Sequence, residues 1–231
     1  MLHTIDFSDI FSSDYSSKIS FKKGEIIHSY RDYEEKAPQI GAILEGKAVL
    51  EGPTNEGRWM INALIGQHAL FGMESLLETK TAPELTEYRV RALENGTVLF
   101  IDREFLLNYL YANPQFFHLI LDEVIVRYLF TSKNYKNINQ APIVKVTRIL
   151  VEIIELLHLH QTEGSIELPV YVTQTFLADY CRSSRARVTE VLEELRESGL
   201  LLSKKPITIS SHENLLDQVD SFQTGNGLLT R

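Results

Sequence analysis

The chain has 231 residues, 44% of them hydrophobic and 23% charged, with a formal net charge of −8. These proportions suit a globular protein with two modest cores, and they exclude a membrane-spanning apolar run and a protein that coats nucleic acid by charge alone. The single cysteine excludes an internal disulfide framework and fits a reducing cytoplasm, and MLHTIDFSDIF lacks the basic start and apolar middle of a signal peptide.

Residues 1–17 are polar and serine-rich and read as a short helix or loose arm. Short strand-like runs then alternate with turn signals as far as Ile101. They cover 19–21, 26–30, 40–44, 48–50, 58–65, 88–93 and 97–101. Many short strands at close spacing predict an antiparallel β-roll, with Glu45-Gly46 and Asn95-Gly96 as the clearest hairpin corners. The segment 71–86, FGMESLLETKTAPELT, interrupts the strands as a short helical turn and a loop.

From Glu104 the period becomes helical, and Asn113-Pro114 marks a fresh helix start. Phe117, Leu121, Val124, Tyr128, Thr131, Tyr135 and Ile138 then alternate by four and three, the seam of a coiled coil. Ile120, Ile125 and Phe130 widen the apolar surface, so one side of the helix is expected against the roll and the seam against a second subunit. Asn139-Gln140-Ala141-Pro142 breaks the pattern as a hinge. An amphipathic helix follows over 144–159, with Val144, Ile149, Val151, Ile153, Leu156 and Leu157 as its apolar contacts. His158 and His160, two apart on that helix, are expected to face differently and to hold no metal together.

The stretch 172–209, VTQTFLADYCRSSRARVTEVLEELRESGLLLSKKPITI, reads as two helices, a tight turn and a hairpin. Thr173 caps a first helix that carries Phe176, Leu177 and Tyr180 on one side, and Ser184 caps a second. Val188, Val191, Leu192 and Leu195 form one buried stripe, so Ala186, Glu190, Glu193 and Glu197 point away from it. Arg185, Arg187 and Thr189 flank that outward face, and Gly199 stops the helix. The runs 200–202 and 207–209 bracket Ser203, Lys204, Lys205 and Pro206 as a wing. A basic outward helix start beside a lysine-bearing wing describes a winged helix-turn-helix. The tail HENLLDQVD predicts one or two further helical turns, and SFQTGNGLLTR a frayed end.

This order of parts resembles the Crp/Fnr family of bacterial transcription regulators. VTQTFLADYCRSSRARVTEVLEELRESGLL with KKPITI carries the sharpest likeness, and FKKGEIIHSY with AILEGKAVL a second. The resemblance implies an α+β chain: a jelly-roll-like, cyclic-nucleotide-binding-like β-roll over 1–111, a dimerisation helix over 112–139, a winged helix-turn-helix over 140–211 and a tail over 212–231. It implies a cytoplasmic homodimer that binds double-stranded DNA, with RNA polymerase and an unidentified small molecule or protein as further partners, and no membrane. Base reading falls on Arg185, Ala186 and Glu190, with Arg187 and Thr189 beside them. Phosphate contacts fall on Thr173, Gln174, Thr175, Ser183, Ser184, Lys204 and Lys205. Arg182 stands where the family has its turn glycine.

Cyclic-nucleotide-binding members carry a Gly-Glu pair and, further on, Arg followed by Ser, Thr or Ala. Here Gly72 is followed by Met73, with Glu74 one place late, and the second pair falls on Thr86 and Glu87. An acid at the phosphate position repels the ligand, so control by cyclic AMP is not expected. Arg89 and Arg91 are not assigned that role. No cofactor is implied. Cys181 alone does not make an iron–sulfur sensor and reads as a small buried hydrophobe. Haem needs an axial ligand, for which His28, His68 and His118 are present, but they read as surface histidines.

A jelly-roll enzyme or small-molecule-binding module with a helical appendage is the alternative. Metal-dependent members of that class need clustered histidines and a carboxylate, whereas the roll offers His28 and His68, widely spaced. Neither a G-x-S-x-G motif nor a phosphate loop occurs. No enzyme, catalytic residue or metal site is therefore expected.

Overall fold

The computed structural model describes residues 14–30, 39–54, 56–77, 87–136, 140–161 and 164–223. The chain divides into two compact units, Met1–Lys133 and Asn134–Arg231.

The first unit contains two four-stranded antiparallel sheets. One has the order β1 (Ser16–Phe21), β8 (Gly96–Asp102), β3 (Gln39–Glu45), β6 (Leu70–Phe71). The other has the order β2 (Ile26–Ser29), β7 (Arg89–Ala92), β4 (Ala48–Pro53), β5 (Trp59–Ile65). Alternation along each strand assigns its faces. Val90 and Ala92 of β7 join Phe21, Ile43, Ala48, Ile65, Phe71 and Val98 in a core drawn from both sheets. On β3 and β8 the intervening residues Ile40, Ala42, Leu99 and Ile101 meet Leu106 and Leu110 of α1 (Arg103–Ala112), which covers the other side of that sheet. Asp102 starts α1 by accepting a hydrogen bond from Phe105 N at 2.9 Å.

The roll is closed by corners rather than by hairpins. Glu45-Gly46 and Asn95-Gly96 turn the chain where expected, but β3 and β4 lie in different sheets, as do β7 and β8. Each corner carries the chain from one sheet to the other, and the two corners pack together. A Cβ on Gly96 would lie 2.2 Å from the Glu45 carbonyl, and one on Gly46, whose φ is +91°, would lie 2.9 Å from the Asn95 carbonyl. Only glycine allows that approach. The corner at 22–25 joins them, since Lys23 N donates to Asn95 Oδ1 and Gly24 N to the Ala92 carbonyl. Among the described roll strands, the consecutive pair joined as a hairpin is β4–β5.

β1 begins at Ser16, so the end of the expected arm is strand, and residues 1–13 lie outside the described ones. The two-residue strand β6 was not anticipated. It pairs Phe71 with Gly41, and a Cβ at Gly41 would stand 2.1 Å from the Phe71 ring. The short helical turn of the interruption is a 3-10 turn at Met73–Leu76, and 78–86 lie outside the described residues.

After Asn113-Pro114 runs α2 (Gln115–Lys136). Its Phe116 and Ile120 pack against the core beneath α1. Phe117 (38%), Leu121 (52%), Val124 (44%) and Tyr128 (70%) are exposed in the single chain. The side chains of Thr131 and Tyr135, and all of Ile138, lie outside the described residues.

The second unit is built on α3 (Pro142–Leu156), whose first residue is proline and whose buried face includes Val146, Leu150, Ile153 and Ile154. Against it pack α4 (Gln174–Cys181), α5 (Arg185–Glu197) and α6 (His212–Gln223). A three-stranded sheet of order β10 (Leu201–Lys204), β11 (Ile207–Ile209), β9 (Ile166–Glu167) completes the unit. Leu156, expected as an apolar contact, is exposed because α3 ends there. His158 then takes a left-handed φ of 55°, and a 3-10 turn follows at Leu159–Gln161. The His158 and His160 rings therefore stand 6.1 Å apart, not on opposed helix faces, with His212 5.7 Å beyond. The tail forms a longer helix than expected, α6, which buries Leu215 and Val219, while 224–231 lie outside the described residues. No described helix is long and apolar enough to cross a membrane.

Candidate nucleic-acid interface

Local chemistry sets α4 and α5. Thr173 accepts from Phe176 N at 3.1 Å, and α4 buries Phe176, Leu177, Ala178, Tyr180 and Cys181. Arg182 follows at φ 51°, ψ 50°. This left-handed turn is natural to glycine and costs an arginine about 1 kcal/mol. Ser184 then caps α5, accepting from Arg187 N at 3.2 Å. Val188, Val191, Leu192 and Leu195 are all buried, and α5 ends as Leu200 N reaches back to the Leu195 carbonyl while Gly199 takes φ +76°.

With that stripe buried, Arg185, Ala186, Arg187 and Glu190 are exposed and Thr189 is half-buried. The Thr189 hydroxyl lies 3.0 Å from Gln174 Oε1 and 2.9 Å from the Arg185 carbonyl, tying the start of α4 to α5. Thr173, Thr175 and Ser184 are exposed beside them, with Ser183 half-buried. The sequence-derived reading set thus lies on one continuous strip formed by the start of α4, the turn and the first half of α5.

The wing turns at Lys205-Pro206, a cis peptide, with Lys204 paired to Ile207. β11 also pairs with β9, so the wing has three strands where the sequence suggested two. Its two lysines differ. Lys205 is exposed, whereas the Lys204 ammonium lies on the Glu193 carboxylate of α5. Arg196 binds the same carboxylate, and these two cations, Arg196 first, hold Glu193 down to about 2. Arg187 donates to Glu190 at 3.0 Å. Among the described residues, the Arg185 and Lys205 side chains carry no ion pair. The acid–base pairing across the wing was legible only as a charge pattern, because α5 and β10 must fold together before Glu193 meets Lys204.

Burial, with Glu152 adding and Lys145 opposing, pushes the Cys181 thiol up to about 12. It is a core group.

In the roll, Glu74 is tied inward. Tyr88 Oη donates to its two oxygens at 2.7 and 2.9 Å, and His28 Nε2 lies 3.2 Å away. Burial pushes its carboxyl up, but hydrogen bonds from His28 and Tyr88 outweigh this and hold it below the usual range. Arg89 and Arg91 sit on the same side of β7, and both donate to buried Glu51, at 2.8 and 2.9 Å. Arg89 also lies 4.1 Å over the Trp59 ring. Sequence reading missed Tyr88 and Glu51. The signal for Glu51 was an acid inside the apolar run AVLEGP, facing the alternating RVR.

Residues 18–113 match the model of the cyclic nucleotide-binding domain, and residues 144–217 that of the Crp-like helix-turn-helix domain. No curated protein matches the chain. Solved structures do. A cyclic nucleotide-binding domain containing protein from Listeria monocytogenes EGD-e is 22% identical with a TM-score of 0.71, over 86% of this chain and 91% of that one. A Crp/Fnr-family transcriptional regulator from Thermus thermophilus is 21% identical with a TM-score of 0.68, over 89% and 99%. The c-di-GMP responsive global regulator of Xanthomonas campestris is 16% identical with a TM-score of 0.68, over 85% and 94%. At these identities the structures show the shared fold, and the two domain models in this order supply the rest: the chain belongs to the Crp/Fnr family of transcription regulators, with that family's helix-turn-helix DNA-binding fold.

Proposed function

We propose that the protein is a cytoplasmic homodimer that regulates transcription by binding a two-fold symmetric DNA site, without control by cyclic AMP. The observation that carries this is α5: a helix with a buried stripe, a serine cap and an exposed first turn bearing Arg185 and Arg187. Arg185 takes guanine O6 and N7 in the major groove in this reading, with Ala186, Arg187, Thr189 and Glu190 beside it. The helix starts at Thr173 and Ser184, with Gln174, Thr175, Ser183 and Lys205, position the backbone.

The exposed seam Phe117, Leu121, Val124 and Tyr128 supports the dimer, since an isolated soluble helix has no reason to present it to water. Two copies place their readers in successive major grooves about 34 Å apart. Against cyclic AMP stand the acid Glu87, the engagement of Glu74 by Tyr88 and His28, and the neutralisation of Arg89 and Arg91 by Glu51. The effector, where one acts, is then a non-nucleotide small molecule or a protein, and RNA polymerase is the partner downstream.

Enrichment of random duplex DNA on the purified protein, with no ligand added, tests this. The expected product is a two-fold symmetric sequence with half-sites one helical turn apart. Enrichment of nothing, both alone and with a small-molecule extract of cells, refutes it.

A further inference from the structure

A surface that meets phosphates should be short of acids, yet α5 carries Glu190 and Glu193 on its outward side. Both are closed by cations. The Glu193 carboxylate is shared: Oε1 takes the Arg196 guanidinium, with Nε at 2.9 Å, and Oε2 takes the ammonium of Lys204 from the wing strand β10. Glu193 and Lys204 are both about one third exposed, so the bridge is partly shielded from water. Arg196 fixes the carboxylate from the helix side, and the wing is thereby strapped to α5. The neighbouring Lys205 has no such partner among the described residues.

Given the DNA-binding function proposed above, on which this rests, we propose that Glu193 withholds Lys204 from the DNA backbone and so holds down affinity for every sequence alike. Phosphate contacts raise affinity for every sequence alike, whereas base contacts discriminate. A lysine held by an acid of the same surface adds nothing to indiscriminate binding. The strap also fixes the wing, so that Lys205 alone reaches the phosphates from a set position. Since Glu193 stays ionised down to about 2, the strap is closed at every pH used for DNA binding.

The test uses the full chain and two duplexes, the enriched site and a scrambled one, titrated from 50 to 200 mM salt. Glu193→Gln releases Lys204. The salt slope is expected to steepen by about 0.9 for each wing engaged, an added loss of about 3.5-fold per wing across that range. Affinity at 50 mM salt should rise several-fold for both duplexes alike, with the ratio of specific to scrambled binding unchanged. Lys204→Gln, which removes the cation and leaves the acid, should keep the wild-type slope. The double variant should fall back to that slope as well.

A Glu193→Gln slope equal to wild type overturns the proposal. So does a drop of about 0.9 in Lys204→Gln, because Lys204 was then already on a phosphate. A double variant that keeps the raised slope also overturns it, since removal of an acid is then the cause. If the wild type favours no duplex at all, the DNA-binding function falls, and this inference with it.

Discussion

Replacing Leu121 by alanine probes the seam of α2. Leu121 is 52% exposed in the single chain, so pairing with a second copy covers about half of its side chain. Full burial of a leucine contributes about 1.5–3 kcal/mol, so half contributes about 1 kcal/mol. Two-fold symmetry counts it twice, and about 2 kcal/mol is roughly 30-fold in the dimer dissociation constant. Leu121→Asp sets a charge in the seam and should leave monomers at micromolar concentration. Sedimentation equilibrium reads both. Ile120→Ala is the control, because Ile120 packs on the roll core. It should lower the melting temperature of the roll and leave association alone. If Leu121→Asp stays dimeric with the wild-type constant, the seam is not the interface.

Three further outcomes are expected. Gly41→Ala drives a methyl group into the Phe71 ring and should cost the roll about 1–3 kcal/mol, read by denaturant unfolding. Ser184→Ala removes the cap of α5 and should cost about 1 kcal/mol of stability, read by denaturant unfolding. With its thiol raised to about 12, Cys181 should resist a thiol reagent at pH 8 in the folded chain and react at once in denaturant. Fast labelling of the native protein would contradict its burial.

The second unit was the more legible one, because its signals are local. The caps at Thr173 and Ser184 act three residues ahead, and the stripe Val188, Val191, Leu192 and Leu195 repeats within a few turns. The roll was legible as strands but not as pairings. Glu45-Gly46 looks like a hairpin corner in sequence whether the next strand lies beside the last one or in the opposing sheet. Nothing local announces that Ser16 pairs with Ile101. His158 and His160 were misplaced for a related reason. Their facing was derived from a helix taken to run through 159, and α3 stops at Leu156. The residues proposed to face DNA came from pattern and resemblance, while the grip of Glu193 on Lys204 needed α5 and the wing to be folded against each other.

The closing of the roll by its first and eighth strands bears on the order in which the chain acquires structure. β4 and β5 are neighbours in sequence and can pair as soon as both exist. β1, with Ser16 opposite Ile101 and Phe21 opposite Gly96, cannot. On the ribosome β1 stays without its partner until β8 has emerged, its backbone groups open to any other edge that passes. Contacts so distant in sequence slow folding, and β8 also carries the residue that caps α1. The strand that completes the sheet therefore also starts the helix leading toward α2, so the closing of that sheet and the start of its helical cover fall to one segment.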